Sequence, residues 1–480
     1  MTLEARHWIG GEWIASTKGT QAESANPSTG EPLGRFADAG LADAESAIGA
    51  ARETFETSAW AHRPRVRAQV LLQFADRLES RKADVARALA RENGKLIGEA
   101  THEVAAGISE LRYYAGLARN IFGRVTEVDH HQYSMLAREP MGVAGIIVPW
   151  NAPITLLVRS LAPCMAAGCT AVVKAAPQTA LVNAEVFAML ADIDGLPAGA
   201  VNMLAETGSD VARRLVTSPD VDVISYTGST AVGKQIMAAG ADTLKRMNLE
   251  LGGSAPCVVF ADADLDAAAT GIARTGMAHA GQVCVAASRV LAEESIAGAL
   301  QARLTERLGA LRLGVADDPR SGLGPLIDRA SQARMERLVD EARGLGEMVL
   351  AGSPPTGELS SGCFIGPSLV RVEDPGNALL QQEIFGPLLT VDTFTDEDEA
   401  VTRANDTRFG LAASVWTTDQ QRGLRLASRI KSGTVWINAH MKLHAEIETG
   451  GYRESGIGRL HGVEGLDEFL QTKHISWQTA

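Results

Sequence analysis

One cysteine, set among small residues, is the first candidate for chemistry in this chain. Cys284 lies in the segment GQVCVAASR (281–289), directly after a predicted helix. Only a thiolate attacks well, so a site that uses this residue must lower the thiol pKa or remove its proton as substrate arrives. Glu250, in the segment LELGG (249–253), offers a carboxylate base. Because a lone cysteine is most often a small buried hydrophobe, the assignment depends on accompanying motifs.

Five further motifs accompany the cysteine. In chain order they are PWNAP (149–153), VKAAP (173–177), YTGST (226–230), LELGG (249–253) and EIFGP (383–387). Together with the segment around Cys284 they resemble the aldehyde dehydrogenase superfamily in its non-acylating, NAD(P)-dependent form. The resemblance extends from about Trp8 to Trp477 and includes GGYRESGIG (450–458). No single motif is specific, but all six in this order are.

The resemblance implies a reaction and a role for each motif. Cys284 would attack an aldehyde to give a thiohemiacetal, whose oxyanion the Asn151 amide and the Cys284 N–H would hold. A hydride would then leave for NAD(P), and Glu250 would activate the water that hydrolyses the thioester to a carboxylic acid. Glu383 would accept hydrogen bonds from the nicotinamide ribose, and Phe385 would hold the ring. The implied cofactor-binding residues are Lys174, Gly228, Ser229, Glu383, Phe385 and Trp150.

Two departures from the family pattern involve three positions. Members that prefer NAD often follow the ribose-binding lysine with a proline and then a glutamate that holds the adenosine ribose; here these positions are Ala175 and Pro177. NAD is the expected cofactor. NADP stays open, because without that carboxylate nothing repels a 2′-phosphate. The second departure is Leu460, where the family often has a glutamate thought to relay protons. Hydrolysis here would need another proton route.

Composition limits the class of protein. The 480 residues are 45% hydrophobic and carry a formal net charge of −13. These values indicate a soluble chain of two or three domains and disfavour nucleic acid and anionic membranes as partners. The N-terminal residues lack an apolar leader region, so a cytoplasmic location is expected. The five cysteines have neither metal-ligand spacing nor a disulfide pattern, so no metal site is expected.

Residues from about 41 to 120 show helical periodicity, and a predicted hairpin follows them. Asn93-Gly94 is a typical helix stop. After the helices, β-branched and alternating residues around a polar His-His pair predict a β-hairpin over 122–140. The predicted helices are 41–60, 65–92 and 98–120.

Strand and helix signals then alternate from 143 to about 438, which predicts an α/β fold with two doubly wound parallel-sheet domains plus a small β element. Nucleotides bind such sheets outside the carboxyl ends of the strands, where Lys174 and Gly228 fall. No G-x-G-x-x-G follows a strand, so the cofactor prediction depends on the resemblance. We assign residues 1–121 and 141–252 to an NAD(P)-binding domain, 253–449 to a catalytic domain, and 122–140 with 450–480 to an oligomerisation element. The resemblance implies a homodimer or homotetramer.

Arg159, eight residues after Asn151, suggests a substrate class. A guanidinium on the second turn of a helix from about 153 could bind a substrate carboxylate as a bidentate pair. Succinic semialdehyde dehydrogenases look similar, although their second arginine corresponds to Ala278 here. Ala152 stands where the family frequently has a phenylalanine, so it would widen the substrate tunnel. An equally favoured alternative pairs Arg159 with a carboxylate of its own domain.

The loop 440–444 also belongs to the predicted substrate site. It contains His440 and Leu443, and it replaces a commonly apolar stretch with basic groups. Together with Arg159 and Ala152, it predicts an aldehyde that carries a negative charge or several hydroxyls. The particular aldehyde does not follow from the sequence.

Three other functions remain open at this point. A CoA-acylating dehydrogenase would share Cys284 but typically lacks the glutamate found at Glu250. A non-catalytic binding member of the same fold would more often have lost one of these two residues. An unrelated thiol hydrolase would need a histidine partner, for which His279 is the nearest in sequence.

Overall fold

The computed structural model describes residues 3–479, which form fifteen α-helices and twenty-one β-strands. The helices are α1 Leu41–Thr57, α2 Pro64–Ser80, α3 Lys82–Asn93, α4 Ile97–Leu117, α5 Pro153–Ala167, α6 Ala180–Ala188, α7 Asp210–Thr217, α8 Thr230–Gly240, α9 Leu265–Gly276, α10 Ala297–Gly309, α11 Arg329–Leu345, α12 Ala378–Gln381, α13 Glu397–Asn405, α14 Gln420–Arg429 and α15 Gly462–Asp467. The strands are β1 Leu3–Ala5, β2 His7–Ile9, β3 Glu12–Ile14, β4 Gln21–Ala25, β5 Pro32–Ala37, β6 Arg124–Asp129, β7 Gln132–Pro140, β8 Val143–Ile147, β9 Thr170–Ala175, β10 Val201–Ala205, β11 Val223–Thr227, β12 Arg246–Glu250, β13 Ala255–Val259, β14 Ala287–Glu293, β15 Glu347–Leu350, β16 Ser368–Arg371, β17 Leu388–Phe394, β18 Ala412–Trp416, β19 Thr434–Ile437, β20 Gly456–Ile457 and β21 Leu470–Gln478.

The larger sheet has eight strands in the order β20-β12-β11-β8-β9-β10-β2-β3. Its five central strands, β12 to β10, run parallel. Side chains alternate between the two faces along each strand, so Ala144 and Ile146 of β8 enter one apolar core while Val143 and Ile147 enter another. Helices therefore cover both faces, as the uninterrupted apolar strands predict.

The second sheet has seven strands in the order β15-β16-β17-β14-β13-β18-β19. All its pairs are parallel except the edge pair β15–β16. The prediction of an α/β fold with two parallel-sheet domains is confirmed. Over residues 3–479, no helix is both long and apolar enough to cross a lipid bilayer.

The predicted hairpin over 122–140 is present as β6 and β7, joined by a turn in which His131 has a φ of 60°. Strand β7 also pairs along its whole length with β21 of the same chain. Every residue of β6 is exposed, including Val125 and Val128 at 59% each. In this three-stranded sheet β6 pairs with β7 on one side only, so its other edge is open in the single chain.

Two predicted helices have different limits in the structure. The predicted helix over 65–92 is two helices, because Arg81 leaves the helical conformation at φ −106° and ψ 8°. The apolar spacing hid this break, since Leu78 and Val85 on either side both enter the same core. The apolar pattern also predicts a helix over 180–193, but helix α6 ends at Ala188, and Asp192 has a left-handed φ of 56°. Gly94 ends α3 in the left-handed conformation as predicted.

We propose the predicted division into an NAD(P)-binding domain, a catalytic domain and an oligomerisation element, and sheet membership supports most of it. Strands β8 to β12 share the first large sheet, and β13 to β19 share the second. The C-terminal part is divided further, because β20 pairs with β12 of the first sheet. Within the described residues 450–479, only β21 joins the hairpin strands.

Candidate active site

The carboxyl ends of neighbouring parallel strands bring several predicted residues to one edge of the larger sheet. Thr227 and Glu250, the last residues of β11 and β12, are register partners. Lys174 near the end of β9 is paired with Ile147 at the end of β8. The motif 149–153 follows β8 directly and leads into α5. Parallel strands end at the same edge, so motifs far apart in sequence meet here.

A sharp turn after α9 carries the cysteine loop. His279, Ala280 and Gly281 have successive left-handed φ values of 47°, 53° and 75°. Asn151 Nδ2 donates to the Gln282 carbonyl at 3.0 Å, and Gln282 Nε2 donates to the His279 carbonyl at 2.9 Å. The Asn151 amide has two N–H groups, and this bond uses one of them. The second N–H can serve an oxyanion formed at Cys284.

Glycines let the cysteine and the 383–387 loop approach the end of β12 closely. A Cβ on Gly253 would lie 2.6 Å from the Cys284 carbonyl oxygen, and one on Gly252 would collide with the Glu383 carboxylate. The Gly253 N–H donates to Glu383 Oε1 at 3.3 Å. Gly253, Cys284, Glu383 and Phe385 line one narrow cavity. The structure therefore places the predicted nucleophile beside two predicted cofactor residues.

Burial governs the resting charge of the site. It raises the pKa of the half-buried Cys284 thiol to about 12, which the nearby Arg159 charge opposes. Burial also raises the pKa of Glu250 to about 7, again opposed by Arg159 and by Arg459. A carboxylate with a pKa near neutral pH can both accept and release a proton. The thiol is therefore protonated at rest and needs a base when substrate arrives.

Arg159 lies beside the predicted base. Its Nη1 lies 3.8 Å from Glu250 Oε2, and its Nη2 donates to Thr227 Oγ1 at 3.0 Å. Both Arg159 and Glu250 are buried. Within residues 3–479, Arg159 Nε and Glu250 Oε1 have no hydrogen-bond partner. The sequence predicts that Arg159 binds either a substrate carboxylate or a carboxylate of its own domain. This geometry matches the second interpretation.

The other predicted substrate residues lie in different surroundings. Ala152 is half-buried and immediately precedes α5, while Leu443 is exposed. His440 is buried, and its Nε2 lies 2.8 Å from the Val285 carbonyl. Burial lowers the pKa of His440 to about 4, so the ring is neutral at neutral pH. The expectation that His440 adds positive charge to the substrate site is therefore wrong, because an imidazole in this buried position does not hold a proton.

The predicted cofactor residues fit a dinucleotide phosphate. Helix α8 begins directly after Ser229, whose side chain accepts from the Val232 N–H at 3.4 Å. A helix N-terminus presents backbone N–H groups and positive potential to a phosphate. A Cβ on Gly228 would collide with the Tyr226 hydroxyl, which explains the glycine before this helix. Trp150 packs edge-to-face on Phe385 at 5.7 Å, and burial lowers the pKa of Lys174.

Comparison with known proteins decides the family. Residues 13–475 match the aldehyde dehydrogenase family. The chain belongs to this family. A probable NADP(+) succinate-semialdehyde dehydrogenase of Sinorhizobium fredii is 38% identical over 94% of this chain and 91% of its own length. The betaine aldehyde dehydrogenase of Bacillus subtilis is 35% identical, with 98% and 96% covered. The crystal structure of a Staphylococcus aureus betaine aldehyde dehydrogenase with NAD+ superimposes at a TM-score of 0.96, with 34% identity over 98% of this chain and 94% of that one.

Sequence reasoning missed three residues that position groups in this aldehyde dehydrogenase. Thr227 lies inside the motif 226–230 and Gln282 inside the segment 281–289, so their presence in recognised motifs was a usable signal. Arg334 had no such signal. Its Nη1 and Nη2 donate to the carbonyls of Ile384 and Phe385, each at 2.8 Å, across about fifty residues of sequence. These bonds hold Phe385 at a left-handed φ of 50°.

Proposed function

We propose that this chain oxidises an aldehyde to its carboxylic acid, with a nicotinamide dinucleotide as the hydride acceptor. The observation that carries this proposal is that Cys284, Glu383 and Phe385 line one cavity next to Gly253. In that arrangement an aldehyde carbonyl at the thiol is also next to the residues assigned to the nicotinamide. Membership of the aldehyde dehydrogenase family supports the same reaction.

The first half of the reaction uses the cysteine and the amide. The Cys284 thiol loses its proton to Glu250, directly or through one water, and the sulfur attacks the aldehyde carbon. The Asn151 N–H and the Cys284 N–H hold the resulting oxyanion; loss of one such donor typically lowers the rate by about 10² to 10³. When bound, the cofactor supplies the acceptor for the hydride that leaves the same carbon.

The second half of the reaction is hydrolysis of the Cys284 thioester. Glu250 first releases the thiol proton to solvent, then takes a proton from water as the water attacks the thioester carbonyl, and the Cys284 thiolate leaves. The Glu250 pKa of about 7 suits this role, because the carboxyl group is about half ionised at neutral pH and can both accept and release a proton. Leu460 is a fully buried leucine and has no carboxylate to relay that proton.

We propose NAD as the cofactor, with NADP as a second acceptor. Lys174, Gly228 and Ser229 would hold the phosphates and ribose, and Glu383, Phe385 and Trp150 would hold the nicotinamide half. Pro177 carries no charge against a 2′-phosphate. The Staphylococcus aureus structure contains NAD+, whereas the Sinorhizobium fredii relative is named for NADP(+).

The substrate class is proposed from the lining of this chain. The two named relatives differ in substrate charge, since succinate semialdehyde is an anion and betaine aldehyde a cation. We propose a polar aldehyde, either hydroxylated or carboxylated. The small side chain of Ala152 and the exposed Lys442 and His444 in the loop 440–444 support this class.

We also propose that the protein is a homodimer or homotetramer joined through the hairpin sheet. Support comes from the exposed strand β6, because an unpaired edge strand with exposed apolar side chains is a liability in a single chain. A second copy would cover it.

The test of the proposed reaction is a panel of neutral, hydroxylated and carboxylated aldehydes assayed with NAD and with NADP. We expect reduced cofactor and an equal amount of carboxylic acid, with no requirement for coenzyme A. Formation of acyl-CoA only, or turnover that does not need a nicotinamide cofactor, would contradict the proposal and favour an acylating enzyme or a thiol hydrolase.

A further inference from the structure

We propose that Arg159 is a positioning residue that orients Glu250 as the base, and that it is not the receptor for a substrate anion. This inference rests on the proposed function, because it assigns Glu250 a task in hydrolysis. It concerns two residues on different elements: Arg159 on α5 and Glu250 at the end of β12.

The position of the guanidinium is fixed from two sides. Its Nη2 donates to Thr227 Oγ1 at 3.0 Å, and Thr227 is the register partner of Glu250. Its Nη1 then lies 3.8 Å from Glu250 Oε2. The distance is short enough for a strong Coulomb attraction at a buried site, but it is longer than a direct hydrogen bond. The attraction therefore aligns the carboxylate without occupying its lone pairs.

The two oxygens of Glu250 consequently differ. Oε2 faces the fixed positive charge, while Oε1 has no hydrogen-bond partner among the described residues. A buried carboxylate oxygen without a donor is costly unless a water or a reacting group uses it. Oε1 is therefore the oxygen that accepts the proton from the thiol or from the hydrolytic water. Arg159 cannot take that proton itself, because a guanidinium stays protonated.

A substrate carboxylate would be a poor partner for this arginine. Only 6% of Arg159 is exposed, and two of its nitrogens already face Thr227 and Glu250. An anion bound there would bring a second carboxylate against Glu250 and raise its pKa through like-charge repulsion. The base would then be protonated at neutral pH, when hydrolysis needs it ionised.

Other charges near Glu250 act more weakly. Arg459 also lowers its pKa and Glu468 raises it, but Arg159 has the largest effect among these charges. The Arg459 guanidinium donates to the carbonyls of Gly451 and Gly458 and lies over the Tyr452 ring. Arg159 also acts on Tyr114 and on Cys284, and in both cases its charge favours the anion. One guanidinium thus promotes ionisation of both reacting groups.

The test uses p-nitrophenyl acetate without cofactor, which separates acylation of Cys284 (the burst) from hydrolysis of the thioester (the steady state). In Arg159→Met we expect the burst to remain and the hydrolysis rate near neutral pH to fall about 10-fold. The pH midpoint of hydrolysis should rise by about one unit, because an opposite charge within a few ångströms shifts a carboxyl pKa by at least that much. Arg159→Lys should restore part of the rate. Arg303→Met, on the exposed face of α10, is the matched control and should be unchanged.

The rate of Cys284 alkylation by iodoacetamide at one alkaline pH gives an independent readout. Because the thiol pKa is about 12, only a small fraction is thiolate there, and the rate reports that fraction. We expect the rate to fall in Arg159→Met and to be closer to the original in Arg159→Lys. If Arg159→Met does not fold, Thr227→Val replaces it. That change removes only the hydroxyl anchor and should shift the hydrolysis midpoint and the alkylation rate in the same directions by smaller amounts.

A matched pair of neutral and carboxylated aldehydes, assayed with cofactor, decides between the two roles of Arg159. Positioning of Glu250 predicts an equal fall in kcat for both aldehydes in Arg159→Met, because hydrolysis comes after the hydride transfer. A fall in kcat/KM confined to the carboxylated aldehyde, with an unchanged hydrolysis midpoint and alkylation rate, would overturn the inference and restore the anion site. Failure of the unaltered protein to oxidise any aldehyde would count against the proposed function alone, because the ester and alkylation measurements do not depend on it.

Discussion

His440 holds the cysteine loop through a hydrogen bond from its Nε2 to the Val285 carbonyl, at 2.8 Å. Val285 directly follows Cys284. A carbonyl can only accept, so Nε2 carries the proton and Nδ1 of the neutral ring accepts from the Ser414 hydroxyl at 3.0 Å. Ser414 belongs to β18, so this chain of bonds ties the cysteine loop to the second sheet. The ring acts on the site through the backbone and not through charge.

Acid should destabilise the fold through His440, because a proton on Nδ1 charges the buried ring and removes the acceptor for the Ser414 hydroxyl. His440→Gln should reduce the effect. The pKa of His440 is about 4 in the folded protein and 6.5 ordinarily, so the unfolded chain binds more protons between these values. The stability that the neutral ring contributes is present above about pH 6.5 and is lost as pH falls towards 4. The free energy of unfolding, measured with urea, should fall between about pH 7 and about pH 4.5. This fall should be roughly 2 kcal/mol smaller in His440→Gln than in the unaltered protein. Equal losses would show that the ring does not titrate on unfolding.

Replacing the nucleophile should separate catalysis from cofactor binding. In Cys284→Ala we expect no aldehyde oxidation and no p-nitrophenyl acetate burst, because the sulfur that forms both covalent intermediates is absent. The Kd for NAD, measured by calorimetry, should stay within about threefold, as a methyl group costs little at this contact. Cys363→Ala, a buried cysteine in the core of the second sheet, is the control and should stay active. Substantial turnover by Cys284→Ala would refute the covalent mechanism.

Glu250→Gln should slow hydrolysis and change its pH dependence. The base must be ionised, so the hydrolysis rate should rise with pH through about 7 and then level off. An amide accepts no proton, so the variant should lose this limb of the profile and about 10² or more of the rate. Glu383→Gln is the comparison, because burial raises the pKa of Glu383 to about 7 as well. Rapid mixing measures the hydrolysis rate of both variants. If the hydrolysis rate of Glu250→Gln still rises with pH through about 7, another group must be the base.

Pro177→Glu should shift the cofactor preference towards NAD. A carboxylate after the ribose-binding strand adds a hydrogen-bond acceptor for the ribose hydroxyls and repels a 2′-phosphate. We expect kcat/KM for NADP to fall about 10-fold or more relative to NAD, the size of a single charge contact of about 1.4 kcal/mol. Pro177→Gln adds similar bulk without charge and should shift the ratio much less. An equal shift in both variants would attribute the effect to loss of proline.

The hairpin sheet should mediate self-association. Val125 and Val128 are each 59% exposed on the edge strand β6. Val125→Asp places a charge on the edge that a partner would cover, so light scattering at micromolar concentration should show a lower mass than for the unaltered protein. Arg87→Asp on α3, also exposed, is the charge control. A stable monomer in the unaltered protein would refute the assignment of this interface.

The sequence by itself determined the family and the two parallel sheets. Unbroken apolar strands such as β8 need helices on both faces, and parallel strands end at one edge, so motifs that follow strands must meet there. That argument is local and directional, and it predicted that Lys174 and Gly228 fall at the carboxyl ends of strands; in the structure, Lys174 and Glu250 lie at the ends of β9 and β12.

Only the tertiary structure decided which partner each polar side chain has. Arg159 could face a substrate or a carboxylate, and the choice depends on Thr227 and Glu250, 68 residues and more away in sequence. His440 looked like a basic group, yet burial against Val285 keeps it neutral. Strand β7 pairs with β21 across more than 300 residues. Residue types and spacing carry local geometry, whereas burial and long-range partners set charge state and orientation, and these exist only once the chain has packed.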